Sequence, residues 1–226
     1  MQIFKIILFL VILILPANAN TIFNLIKIPN LEIYDNKSEN GIKYLKANKP
    51  FNVGIRNNSV TCLNSNKETI DEKFNSIKKN FDRYDADFLY KINLKYIVFC
   101  ENLQVSGINS AGVPNQKMRT LIIDLNFDEN HFERVLHHEV FHIINESYKK
   151  YFLANQWKSF NNAEFNYAKC STCSERLNLN LFDNTEGFLT EYSMSTASED
   201  MAEIFSFLMT DITKVKEKAL KDPILN

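Results

Sequence analysis

Three observations predict an α+β fold with a small N-terminal mixed sheet, packed helices and a mainly helical C-terminal lobe. Leu94–Cys100 and Thr120–Leu125 are short runs dense in β-branched, aromatic and aliphatic residues, as strands are. Between Lys67 and Tyr84 the residues Ile70, Phe74, Ile77, Phe81 and Tyr84 recur in steps of three and four, the period of an amphipathic helix. Further on, Leu136-His137-His138-Glu139-Val140-Phe141-His142-Ile143 reads as a second helix, apolar behind and polar in front.

With 226 residues, of which 45% are hydrophobic, the chain can bury a real core. Lys+Arg 26 against Asp+Glu 27 leaves a formal net charge of −1, so there is no basic surplus to suit nucleic acid or an anionic membrane. Residues 1–19 read as a secretory signal peptide. Lys5 supplies its positive end, Ile6 to Leu15 its apolar centre, and Pro16-Ala17-Asn18-Ala19 a small-residue cleavage site. That apolar run is half of what a membrane-spanning helix needs, so cleavage is expected after Ala19 and no membrane association afterwards. Residues 20–226 are then expected to form a single domain, with an α/β lobe over about 51–150 and a helical lobe over about 151–226. The expected destination is the periplasm or the outside.

The four cysteines, Cys62, Cys100, Cys170 and Cys173, all follow the leader, and an even number in an exported chain favours disulfides. The least tangled pairing joins Cys62 to Cys100 and Cys170 to Cys173. Cys170-Ser-Thr-Cys173 also has the spacing of half a zinc knuckle or of a redox pair. A knuckle needs a second pair, however, and a redox motif needs a βαβ context that is missing.

Taken in order, Thr21–Ile33 alternates weakly, as a short strand or extended arm would. Asp35–Pro50 is polar loop with a strand near Ile42–Leu45, and Phe51–Cys62 holds a strand that turns at Asn57-Asn58. The Gly-bearing Ser106–Asn115 segment contains Pro114, which confines it to an edge strand or a loop; an edge strand there could pair with an extended peptide. Asn130, three residues before Glu133, resembles a capping box for the following helix. Trp157, Phe160, Phe165 and Tyr167 are expected in the core.

His138-Glu139-Val140-Phe141-His142 is H-E-x-x-H. Four residues apart on a helix, the two imidazoles share one face and can hold one zinc ion, with Glu139 beside the bound water as general base. The three-histidine version of such a site needs Gly and His where this chain has Asn145 and Tyr148, and His137 points away from a shared ion. A carboxylate must complete the site, unless Cys170 or Cys173 does. The best candidate lies in Thr196-Ala197-Ser198-Glu199-Asp200-Met201-Ala202-Glu203, where Thr196 or Ser198 marks a helix start. Glu199 and Glu203 then share a face, Met201, Ile204, Phe205 and Leu208 form the core stripe, and small Ala202 permits close approach to the motif helix. Glu199 is the expected ligand, and Glu203 would orient a zinc histidine through its free N–H. Tyr192, seven residues before Glu199, could donate a hydrogen bond to the oxyanion formed during amide hydrolysis.

His138-Glu139-x-x-His142, Tyr192 and Glu199-x-x-Ala202-Glu203 together resemble the gluzincin arrangement of the anthrax lethal factor and Pro-Pro endopeptidase group, in which a tyrosine also stands seven residues before the glutamate ligand. The run Trp157…Asn161…Phe165-x-Tyr167, followed by Glu191-Tyr192 and Glu199-Asp200-x-Ala202-Glu203, is similar to a set of bacterial zinc-binding metallopeptidases. The likeness covers about the last 80 to 100 residues. It implies a zincin-like domain with His138, His142 and Glu199 on one zinc per chain, Glu139 as base and Tyr192 as oxyanion donor. The expected function is a secreted zinc endopeptidase acting on a protein or peptide substrate. Alternatives are an exported non-catalytic zinc-binding interaction protein and a zinc hydrolase of a small amide.

Overall fold

The computed structural model describes residues 27–54 and 59–226; the expected signal peptide and the expected Asn57-Asn58 turn lie outside these. Two sheets carry the first half. Strands β1 (Leu31–Asp35), β2 (Lys43–Ala47), β5 (Tyr96–Cys100), β9 (Thr120–Asp124) and β8 (Gly112–Asn115) form a five-stranded sheet in the order β1-β2-β5-β9-β8. It is mixed: β2, β5 and β9 are parallel, and β1 and β8 add antiparallel at the two edges. The smaller sheet runs β3 (Phe51–Val53), β4 (Val60–Cys62), β6 (Gln104–Val105), β7 (Ile108–Asn109). Ser106 and Gly107, both at positive φ (54° and 82°), make the tight turn between β6 and β7.

Strand β5 is apolar at every position, and β9 is apolar from Leu121 to Ile123, because the large sheet is covered on both faces. Ile97, Phe99, Leu121 and Ile123 face helices α1 (Lys67–Phe81) and α3 (Phe132–Ser147), while Tyr96, Val98, Cys100 and Ile122 face the small sheet. The Cys62–Cys100 disulfide, Cα–Cα 5.7 Å, joins the two sheets on that second face. Cys170 and Cys173 are also bonded to each other.

Helix α1 begins at Asn66, whose side chain accepts from Glu68 N at 3.1 Å. It stops at Phe81, short of the expected Tyr84, because Asp85 caps a new helix, α2 (Ala86–Lys91), by accepting from Phe88 N at 2.7 Å. Helix α3 follows His131, which makes no side-chain capping bond. The expected capping box at Asn130 does not form: Asn130 N is held by Asp128, and the Glu133 carboxylate instead accepts from Ser76 Oγ at 2.6 Å. Leu136, Val140 and Ile143 bury the back of α3, each contributing about 1.5–3 kcal/mol.

The C-terminal part is less helical than its sequence suggests. Helix α4 (Ala154–Lys158) is short, and the chain then runs through turns and single 3-10 turns to α5 (Ala197–Thr210) and α6 (Ile212–Ala219). Asparagines break it up; Asn162 and Asn178 hold local turns through their side chains. Phe160, expected in the core, is 67% exposed. Helix α5 packs against α3 through Phe141, Ala197, Met201 and Ala202. Its buried face differs from the expected stripe: Leu208 is exposed, whereas Asp200, Glu203 and Ser206 are buried. Asp200 is turned inward to Trp157 and Tyr167, and Glu203 to His138, Arg134 and Thr190, so polar pairing decides which face packs.

Candidate metal centre

Helix α3 presents His138 and His142 one turn apart, with ring centroids 4.9 Å from each other. Helix α5 supplies the third group. Thr196 caps it, its hydroxyl accepting from Glu199 N at 3.2 Å, and this puts Glu199 in the first turn, pointing at α3. Ligand atoms of His138, His142 and Glu199 all lie within 4.8 Å of one another. The nearest approaches are 2.9 Å from His138 Nε2 to Glu199 Oε2, 3.2 Å from His142 Nε2 to the same oxygen, and 3.1 Å between the two Nε2 atoms.

Those distances fit a metal. Donors about 2.0–2.1 Å from a tetrahedral zinc ion sit about 3.3 Å apart. Two imidazole nitrogens and one carboxylate oxygen converge on a single point, an arrangement that one cation at the centre satisfies. With Cys170 and Cys173 bonded to each other, the cluster's third donor is the carboxylate.

The outward nitrogens are also engaged. His138 Nδ1 lies 2.8 Å from Glu203 Oε1. His142 Nδ1 lies 3.3 Å from Ser198 Oγ, which in turn accepts from Asn145 Nδ2 at 3.2 Å. Such partners fix ring orientation and leave the inner nitrogen free to ligate. Glu203 is itself paired with Arg134 and accepts from Thr190 Oγ1 at 2.9 Å. Neighbouring His137 is spent elsewhere, on Tyr84 OH at 2.6 Å and Asn80 Oδ1 at 2.9 Å.

The charges respond to this packing. Burial alone would lower the His138 pKa, but hydrogen bonds to Glu199 and Glu203 outweigh it and raise it to about 10. Burial would lift Glu199, yet hydrogen bonds from both histidines hold it well below the carboxylate range. Glu139, buried beside the cluster, is raised by burial against the pull of His142 and His138. Tyr192 sits at the start of a 3-10 turn (Tyr192–Met194), its ring centroid 5.9 Å from that of His138, and burial raises its phenol.

The edge strand β8 borders the site. Asp124 N donates to Ala111 O at 2.9 Å, so by the antiparallel alternation the main-chain groups of Gly112 and Pro114 face away from β9. The missing N–H of Pro114 therefore costs no ladder bond. A cleft of about 390 Å³ opens beyond this strand, walled by Pro114, Asn115, Lys117, His142, Asn145 and Ser198.

Reading from sequence missed Arg134, Thr190, Ser198 and Gly112. Arg134 had a signal, since it precedes His138 by the same four residues that separate His138 from His142. Thr190 had none. The aromatic run acquires a role that is only partly core packing: the Trp157 indole and Tyr167 phenol donate to Asp200 Oδ2 at 2.8 and 2.6 Å, tying their segment to α5.

A His-His-Glu donor set on two packed helices, with a buried carboxyl beside it, is the equipment of a zinc protein. Residues 104–224 match the model of a family described as putative zinc-binding metallo-peptidase. The chain belongs to this zinc metallopeptidase family, and the match spans every residue of the cluster. No curated protein and no solved structure matches the chain.

Proposed function

We propose that this protein is a secreted zinc endopeptidase with a zincin-like domain of the gluzincin type, exported by cleavage after Ala19. The observation that carries the reading is the convergence of His138, His142 and Glu199 beside buried Glu139, in a chain of the zinc metallopeptidase family. His138, His142 and Glu199 would hold one zinc, which when bound supplies a water acidified to about pKa 7 and polarises the scissile carbonyl.

The protein's own groups do the rest. Burial raises the basicity of Glu139, which suits it to take the proton from the attacking water and deliver it to the leaving amine. Tyr192, kept protonated by its surroundings, donates a hydrogen bond to the oxyanion. An extended substrate lies along β8, pairing with the outward Gly112 N–H and Pro114 carbonyl, while the Gly112 carbonyl accepts from Ser110 Oγ at 2.7 Å. The tyrosine seven residues ahead of Glu199 supports kinship with the lethal factor and Pro-Pro endopeptidase group.

The test is metal content and casein hydrolysis of the purified mature chain beside Glu139→Ala. One zinc per chain, activity in the wild type and none in the zinc-loaded variant is the expected result. Absence of zinc, or full activity in the variant, would overturn the reading.

A further inference from the structure

We propose that Arg134 is a positioning residue that holds the His138 imidazole and the Tyr192 segment in one register; this rests on reading His138 as a zinc ligand. Arg134, His138 and His142 fall at four-residue intervals along α3, and Glu199 and Glu203 fall at the same interval along α5. The two rows interleave in the order His142, Glu199, His138, Glu203, Arg134, so that each basic group faces an acidic one across the helix interface. Arg134 closes this seam at its inner end. Its side chain and that of Glu203 are 8% and 1% exposed, so the pair is removed from water.

Arg134 uses its fork in two directions. One nitrogen binds Glu203, whose other oxygen lies against His138 Nδ1. The second donates to Leu179 O at 2.5 Å. The residue before Leu179, Asn178, accepts the Tyr192 N–H at 3.2 Å, and Leu181 bridges Thr190, which also donates to Glu203. The Phe207 ring, 4.4 Å from the guanidinium carbon, holds the fork flat. A single buried cation thus links the group that orients His138 to the loop beneath Tyr192. Lysine could supply the charge but not both arms at these angles.

The experiment compares the full mature chain with Arg134→Lys, Arg134→Met and the double variant Arg134→Met/Glu203→Met, which leaves no unpaired buried charge. Zinc dissociation constants are measured by chelator competition, the visible spectrum is recorded with cobalt in place of zinc, and unfolding of the metal-free chains is followed by circular dichroism. Arg134→Met is expected to bind zinc roughly 10–100-fold more weakly, with an altered cobalt spectrum, and the double variant to fold cooperatively and bind zinc no more tightly than Arg134→Met. Arg134→Lys is expected to restore zinc affinity while kcat on a peptide stays down roughly 10–100-fold at unchanged KM, because the Leu179 arm is lost. A folded Arg134→Met chain with wild-type zinc affinity and cobalt spectrum would reduce Arg134 to a structural bridge and overturn the proposal. Wild-type kcat in Arg134→Lys would remove the link to Tyr192. A wild-type chain that binds no zinc defeats the parent reading itself, which is a different result from either.

Discussion

Gly112 lies directly against the side chain of Glu139: a Cβ on Gly112 would come within 2.6 Å of Glu139 Cγ and 2.9 Å of its carboxyl carbon. The backbone of the edge strand and the proposed base therefore share a space that only glycine leaves open. Ile122 O, 3.2 Å from the same point, prevents the strand from backing away freely.

Gly112→Ala should push the Glu139 carboxylate off its position while leaving the histidines alone. The expected outcome is a fall in kcat of roughly 100-fold with zinc content unchanged. Steady-state kinetics with metal analysis checks it; unchanged kcat would mean that the contact relaxes without moving the carboxylate.

Glu199→Ala should abolish stoichiometric zinc. Because binding to the folded chain alone adds stability by mass action, the wild type should gain about 4 kcal/mol in zinc at 1,000 times its Kd, and the variant almost nothing. Thermal unfolding with and without added zinc decides this. An equal zinc-induced rise in Tm for both chains would exclude Glu199 as a ligand.

The two disulfides should differ sharply in worth. Cys62 and Cys100 are separated by 38 residues, and the chain-entropy model gives their bond about 4 kcal/mol. Cys170 and Cys173 are separated by 3, which gives under about 2 kcal/mol. Paired Cys→Ala replacements followed by urea unfolding should show a large drop in midpoint for the first pair and a small one for the second. The reverse order would contradict the assignment of the first bond as the main covalent brace.

Trp157→Phe removes one of the two aromatic donors to the buried Asp200 carboxylate. A loss of about 1–3 kcal/mol is expected, read as a lower urea midpoint at constant m. A midpoint that does not move would show that Tyr167 alone satisfies Asp200.

Elements whose partners lie within a few residues were legible in the chain. The three-and-four period of Ile70, Ile77 and Phe81 and the dense runs around Val98 and Ile122 marked α1, β5 and β9, and Pro114 marked an edge. Thr196, a cap read from its spacing to Glu199, located the start of α5. Pattern failed where burial depended on polar pairing. Leu208 looked like core and is exposed; Asp200, to which the pattern assigns no part, is buried and hydrogen-bonded to Trp157 and Tyr167. Asn130 had the spacing of a cap, but Asp128 took its N–H first.

By itself, the sequence determined that two imidazoles stand on one helical face, because a four-residue interval fixes that within a single hydrogen-bonded segment. It likewise determined that a carboxylate pair, Glu199 and Glu203, stands on one face of a later helix. Only the tertiary structure decided that these faces meet, with Glu199 between the histidines, Glu203 behind His138, and Arg134 and Thr190 behind Glu203. The physical reason is distance along the chain: 61 residues separate His138 from Glu199, and no local period encodes a contact that long-range packing of α3 on α5 creates.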